Sequence, residues 1–213
     1  PEIQALYIAT PHHLHYDCIR MCLESGKAVL CEKPFTLDQK QAGLAIEQSR
    51  RHNLFLMEAM WMRFNPAMQK LRDYLASGVI GDVVSIRADF GFSTPFHPDS
   101  RLFNLNMGGG ALLDVGVYPV SFAVMILGKP QRLSGYGIIG ESGVDEQNCM
   151  IFHYPGGQIA MLTSGFRANT DREAYVFGTK GNIKLDAAWH RSLKVTLYRN
   201  EKRRPTRPAL QPY

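Results

Sequence analysis

Three residues are of types that move protons, and their placement makes them candidates for chemistry. Lys33 lies in Cys31-Glu32-Lys33-Pro34, directly after the apolar run Ala28-Val29-Leu30-Cys31. Proline fixes the chain and removes a backbone donor, so an ammonium is set at the end of a buried strand. A lysine there can hydrogen-bond a substrate oxygen, and burial or neighbours readily shift its proton affinity. The alternative is a surface lysine paired with Glu32. Asp114 and Tyr118 stand four apart in Leu113-Asp114-Val115-Gly116-Val117-Tyr118-Pro119. A helix there projects both from one face. Their neighbours are nearly all apolar, where a carboxylate is costly unless paired, and Lys33 is its expected partner. The alternative is a helix-capping Asp and a core Tyr anchored by its hydroxyl.

Other residues are weaker candidates. His12, His13 and His15 cluster with Cys18 and Cys22, but no second cysteine pair or carboxylate group completes a tetrahedral set at recognised spacing, and no metal is expected. His15 reads instead as a neutral donor near a substrate hydroxyl, and the two cysteines as helix packing. Trp61 and Arg63 follow an apolar strand and open onto the same cleft as Lys33. Phe92 and Trp189 are candidate substrate-facing aromatics, against the alternative of plain packing. Gly108-Gly109-Gly110 lets backbone approach a ligand or partner closely, or forms a flexible entry.

The elements that position these residues come in two styles. Up to Met60, short apolar strands (Leu6 to Ala9, Ala28 to Cys31, Leu54 to Met57) alternate with helices from His15 to Ser25 and from about Asp38 to His52. This is the pattern of crossover units on a parallel sheet, whose ligands lie outside the carboxyl ends of the strands. Thr10-Pro11-His12 and Glu32-Lys33-Pro34 fall at two such ends. After Met60 a helix runs from about Pro66 to Ser77, followed by long extended runs. They are Val83 to Phe92, Gln131 to Ile139, Asn148 to Tyr154, Gln158 to Ala168, Glu173 to Phe177, Asn182 to Leu185 and Leu193 to Tyr198. Pro155-Gly156-Gly157 and Thr179-Lys180-Gly181 are short, glycine-bearing connections, so the strands they join are expected to be antiparallel. One further helix is expected from about Gly110 to Leu127. The fold class is thus α/β plus α+β: residues 1–60 form part of a doubly wound parallel sheet, and residues 61–213 a mostly antiparallel open sheet with helices on one face.

With 213 residues, 45% of them hydrophobic and 20% charged, the composition is that of an ordinary globular protein. Much of the net charge of +5 sits in Lys202, Arg203, Arg204 and Arg207, so no clustered footprint for nucleic acid is expected. No uninterrupted apolar run of membrane-spanning length occurs. The four cysteines have no paired framework, which fits reduced thiols and a cytoplasmic setting. Both ends read as cuts: Pro1 leads almost directly into a strand, and the sequence closes on a basic, Pro-rich stretch.

Five segments extend this reading: Ala9-Thr10-Pro11 through His15, Gly26-Lys27 to Glu32-Lys33-Pro34, Glu58 to Pro66, Gly108 to Tyr118, and Gly178-Thr179-Lys180-Gly181. In their order the chain resembles the Gfo/Idh/MocA oxidoreductases along nearly its whole length. The resemblance implies a Rossmann domain followed by a domain whose open sheet makes a homo-oligomer, dimer or tetramer. It implies that Lys33, Asp114 and Tyr118 are catalytic. Thr10, Pro11, His12, Glu32, Lys33, Pro34, Trp61 and Arg63 would then meet a nicotinamide cofactor, and His15, Phe92 and Trp189 a small polyol or carbonyl substrate. Many members have histidine where this chain has Tyr118. The tyrosine is similar to the dimeric dihydrodiol dehydrogenase and glucose–fructose oxidoreductase branch, which implies NADP rather than NAD. The implied reaction is hydride transfer between nicotinamide and a secondary alcohol of a sugar, cyclitol or cyclic trans-diol, with Lys33 favouring the Tyr118 phenolate. The alternative is a regulatory member that senses NAD(P) or a sugar without catalysis. The family's Gly-rich fingerprint is expected before Pro1, so this chain alone is expected to bind cofactor poorly.

Overall fold

A computed structural model of the chain describes residues 2–199; the basic tail Lys202 to Arg207 lies outside the described residues. Strands β1 (Ala5–Ile8), β2 (Ala28–Cys31) and β3 (Leu56–Glu58) form a parallel sheet in sequence order. Helices α1 (His15–Glu24) and α2 (Gln39–His52) connect them. Asp38 starts α2 by accepting from the Gln41 amide at 2.8 Å, which satisfies one of the unpaired first-turn donors. Asn53 ends it in a left-handed conformation (φ 52°), one of the residue types that tolerates this turn. Ile19, Leu23, Val29, Cys31 and Ala45 close the core between helices and sheet.

The second unit is a seven-stranded sheet in the order β10-β9-β8-β4-β7-β6-β5. Its strands are β4 (Val83–Gly91), β5 (Arg132–Ile139), β6 (Asp145–His153), β7 (Ile159–Gly165), β8 (Ala174–Gly178), β9 (Gly181–Leu185) and β10 (Val195–Arg199). All neighbours are antiparallel except β4 and β7. The two glycine-bearing turns join β6 to β7 and β8 to β9, both antiparallel pairs. Inward residues such as Ile86, Ala160, Leu162, Val176 and Ile183 are buried with Met68 and Leu71 of α3 (Pro66–Ala76) and Phe122 of α4 (Val117–Leu127). This period-two alternation is what one covered sheet face requires.

The expected continuous helix from Gly110 differs in form. A π-helical turn, Leu112–Gly116, precedes α4 and contains Asp114. The helical stretch from Leu105 to Leu127 is long and apolar enough to span a bilayer by composition. It nevertheless serves as the core helix here, since its sheet-facing residues Phe122 and Ala123 are wholly enclosed and it carries a buried carboxylate.

Candidate active site

The parallel sheet delivers Lys33 two residues beyond the end of β2, and the π-turn delivers Asp114 opposite it. The Lys33 ammonium donates to the Asp114 backbone oxygen at 2.6 Å and to its carboxylate Oδ1 at 3.1 Å. Both side chains are largely enclosed, at 15% and 6% exposure. Arg101, from the loop after β4, donates to the same Oδ1 at 2.7 Å. Burial alone raises the proton affinity of Asp114, but the Lys33 charge and the Arg101 hydrogen bond and charge outweigh it, and the carboxyl is held below its ordinary value. An ammonium has three donors, and Asp114 takes two.

Backbone packing holds the π-turn in place. Asp145 of β6 accepts from the Leu112 amide and from the Asn148 side chain, each at 2.8 Å, and Ser164 of β7 donates to Asn148 at 2.8 Å. Gly110 has φ +116°, and a Cβ there would lie 2.3 Å from the Asp145 carboxylate; one on Gly116 would lie 2.8 Å from the Ser164 hydroxyl. Only glycine allows this approach. π-Turns are frequent at functional sites, and this one carries the carboxylate.

Tyr118 lies on the same side of the helix as Asp114. Its hydroxyl accepts from the Trp61 indole at 3.1 Å, and its ring centroid is 5.3 Å from the Lys33 nitrogen. Lys33 thus faces the ring while bonding Asp114, and the expectation that it favours a Tyr118 phenolate is corrected. Burial pushes the phenol up to about 12; the Trp61 bond lowers it in part, and the Asp114 and Glu32 charges raise it. Tyr118 is a protonated group at neutral pH.

Around Tyr118 stand three further rings: Trp61 at 5.9 Å, Phe90 at 5.3 Å and His190 at 5.3 Å between centroids. Phe90 and His190 stack at 4.4 Å. Sequence reasoning missed Arg101, Phe90 and His190. Phe90 lies near the end of β4, two residues before Phe92, and the signal for His190 was adjacent, in Trp189. Trp189 itself is core rather than substrate-facing: it is wholly enclosed, packs on Phe122 and donates its indole N–H to the Asp89 carbonyl at 2.7 Å. Phe92 packs on Phe166 at 5.2 Å. His15 is likewise corrected as a substrate donor. Its ring is fully buried, with Nδ1 2.7 Å from the Pro34 carbonyl and Nε2 2.8 Å from that of Thr10. Pro34 is thereby a buried support.

Ala9, Thr10, Pro11, His12, Glu32, Lys33, Arg101 and Asp114 line a groove of about 330 Å³ at the carboxyl ends of β1 and β2, where parallel sheets take their ligands. His12 is buried with Nδ1 2.9 Å from the Gly108 carbonyl. Burial depresses its basicity against the opposing effects of that carbonyl and Asp114. Arg63 is corrected: it lines a separate groove with Leu56, Glu58, Phe64 and Arg72. A hydroxyl at Thr10 and a carboxylate at Glu32 beside an ammonium fit the nicotinamide and ribose end of a dinucleotide. The sequence contains one G-x-G-x-x-G spacing, Gly135-Tyr136-Gly137-Ile138-Ile139-Gly140. Its first five residues are extended in β5, paired with β6, so it is no strand-to-helix phosphate loop. Among the described residues no group of three or more His, Cys, Asp or Glu is arranged to hold a metal.

Comparison with known proteins adds to this geometry. A family model described as "Oxidoreductase family, NAD-binding Rossmann fold" matches residues 1–60, and one described as "GFO/IDH/MocA C-terminal domain" matches residues 68–184. The trans-1,2-dihydrobenzene-1,2-diol dehydrogenase of Mus musculus is 42% identical over 191 residues, 89% of this chain and 57% of that protein. The protein of the same name from Xenopus laevis is 41% identical over 187 residues, 87% of this chain and 56% of that one. The chain therefore spans a little over half the length of these relatives. Among solved structures, an NAD-binding oxidoreductase from Klebsiella pneumoniae superposes with a TM-score of 0.86 at 25% identity, covering 95% of this chain and 59% of that one. KijD10, a 3-ketoreductase from Actinomadura kijaniata solved with NADP and TDP-benzene, gives 0.79 at 29% identity, covering 93% and 62%.

Proposed function

The chain belongs to the GFO/IDH/MocA oxidoreductase family, and on that premise we propose that the protein interconverts a secondary alcohol and a carbonyl on a small cyclic diol or sugar, using a nicotinamide cofactor. The observation that carries this reading is the Lys33, Asp114 and Tyr118 cluster beside the groove at the ends of β1 and β2. The names of the relatives, dihydrodiol dehydrogenases and a ketoreductase, support the substrate class. Absorbance of reduced nicotinamide, followed with the natural protein against cyclic trans-diols and sugars, tests it. No turnover with any alcohol or carbonyl of these classes rejects it in favour of a sensor.

Thr10, Glu32 and Lys33 would hold the nicotinamide end of the cofactor, which supplies the hydride acceptor or donor. Tyr118 gives its hydroxyl proton to the carbonyl oxygen in one direction and takes it from the alcohol in the other. The third Lys33 N–H points the substrate oxygen toward Tyr118, and Asp114 holds Lys33 in that position. Tyr118, Phe90 and His190 are buried and limit water on their side of the reacting oxygen, while Trp61 is partly open to solvent. NADP is the proposed cofactor rather than NAD, supported by the NADP bound in the ketoreductase; kcat/KM measured with each decides the choice.

The high proton affinity of Tyr118 gives a directional pH dependence. Carbonyl reduction draws on the protonated phenol, which is fully present until pH nears about 12. Reduction is expected to hold level from neutral pH to about 10, whereas alcohol oxidation climbs with pH because the proton acceptor is the scarce phenolate. Rate profiles in the two directions check this, and identical bell shapes would remove Tyr118 as the proton carrier.

The proposed assembly is a homo-oligomer through the outer face of the seven-stranded sheet. Tyr136, Ile151, Ile159 and Met161 are exposed on that face, and exposed apolar patches of this kind mark association surfaces. Sedimentation of the natural protein is expected to show a dimer or tetramer, which Ile151→Asp converts to smaller species; a monomeric natural protein sinks the assembly.

A further inference from the structure

His190 is a buried polar ring that the proposed chemistry leaves unused. It follows Ala188, whose left-handed backbone (φ 57°) starts the short turn Trp189–Arg191. The turn sends the two neighbouring rings to different places. Trp189 enters the core and bonds the Asp89 carbonyl, while His190 stacks on Phe90, the next residue along β4, at 20° between ring planes. His190 thus lies 5.3 Å from Tyr118 and 5.8 Å from Trp61, as the nitrogen-bearing wall of the ring box.

The residue is 7% exposed, its Nδ1 is fully enclosed without a hydrogen-bond partner, and Nε2 makes no hydrogen bond among the described residues. Buried imidazole nitrogens are ordinarily paired. The other walls explain themselves by packing or by the Trp61 to Tyr118 bond, but His190 does not. Burial, then the charges of Arg191, Arg172 and Lys33, hold the imidazole neutral, down to about 4. A neutral ring carries one donor and one acceptor; with Nδ1 enclosed, Nε2 is the nitrogen left to meet an alcohol hydroxyl.

We propose that His190 is a specificity-determining residue that hydrogen-bonds a second hydroxyl of the substrate, vicinal to the one Tyr118 works on, so that the site selects vicinal diols over simple alcohols. The proposal rests on the alcohol-oxidising reading above and names its substrate class more closely. Phe90 fixes the ring plane, and Tyr118 fixes the reacting oxygen. The two polar groups belong to neighbouring rings with centroids 5.3 Å apart, and adjacent hydroxyls on a six-membered ring would meet one each. A site built around such a bond discriminates strongly, because an analogue lacking the hydroxyl leaves the protein nitrogen unpaired.

The test compares trans-cyclohexane-1,2-diol with cyclohexanol, in the cofactor-loaded natural protein and in His190→Phe, which keeps the stack on Phe90 and removes both nitrogens. Binding is read from the change in tryptophan fluorescence, and kcat/KM is read in parallel. The diol is expected to bind more tightly than the mono-alcohol in the natural protein. In His190→Phe that preference should fall by about tenfold or more. His190→Gln, which can still hydrogen-bond, should recover part of it, and thermal melts establish that both variants fold. A preference unchanged in His190→Phe, or no preference for the diol in the natural protein, overturns the proposal. A His190-dependent binding preference without turnover supports it while rejecting the catalytic reading, so the two failures are distinguishable.

Discussion

Tyr118→Phe is expected to lower turnover of the natural protein about a hundredfold or more while leaving cofactor affinity within about twofold. The substitution removes one oxygen and keeps the ring, so its contacts with Phe90, His190 and Trp61 persist. The Trp61 indole loses its acceptor but is partly open to solvent, where water replaces it. The loss should therefore lie in kcat and appear little in stability. Steady-state rates with a cofactor titration check this, and near-normal turnover would take Tyr118 out of the mechanism.

Asp114→Ala should damage both stability and activity. It strips the Lys33 ammonium of both its carboxylate bond and, through any shift of the turn, its carbonyl bond. An enclosed cation left without its counter-charge costs about 3–5 kcal/mol. Arg101, more than half exposed, loses far less because water screens it. With Lys33 free to wander, the substrate oxygen loses its guide, and kcat/KM is expected to drop by about two orders of magnitude. The pH dependence has a definite sign. Burial opposes ionisation of Asp114, but Lys33 and Arg101 prevail and depress its folded-state pKa. Its contribution to stability is therefore complete above the ordinary carboxylate range and disappears as acid carries the pH down through the lowered folded value. The gap in melting temperature between the natural protein and Asp114→Ala should thus shrink on acidification; a gap that widens in acid contradicts the pairing.

The fold was legible in this sequence where local pattern and tertiary demand coincide. Period-two alternation in β7 and β9 follows from a sheet with one covered face, and the glycine turns fix the antiparallel neighbours. Lys33 and Asp114 could be paired in advance because Asp114 is a charge among apolar neighbours and Lys33 stands at the end of a buried strand. Arg101 could not, since it lies in a loop with no periodicity, and only the fold brings it over a carboxylate thirteen residues away. His15 and Trp189 went astray for a related reason. Residue type indicates a capacity for hydrogen bonding, but whether that capacity faces a ligand or a carbonyl is decided by long-range packing. His190 sits beside Trp189 in the chain, but a left-handed residue before them sends one ring onto Phe122 and the other onto Phe90 and Tyr118.

The π-turn at Leu112–Gly116 also limits how this segment can vary over evolutionary time. Each residue in an α-helix advances the direction of its side chain by about 100°, so deleting one residue inside the wide turn would restore ordinary winding and re-aim the residues before the deletion relative to α4. The same deletion in the turn Pro155-Gly156-Gly157 would merely tighten a hairpin. Substitution is negotiable along much of this helix, but its length is not: lineages can repaint the rings around Tyr118 to suit new substrates, while insertions and deletions between Gly110 and Tyr118 should be purged.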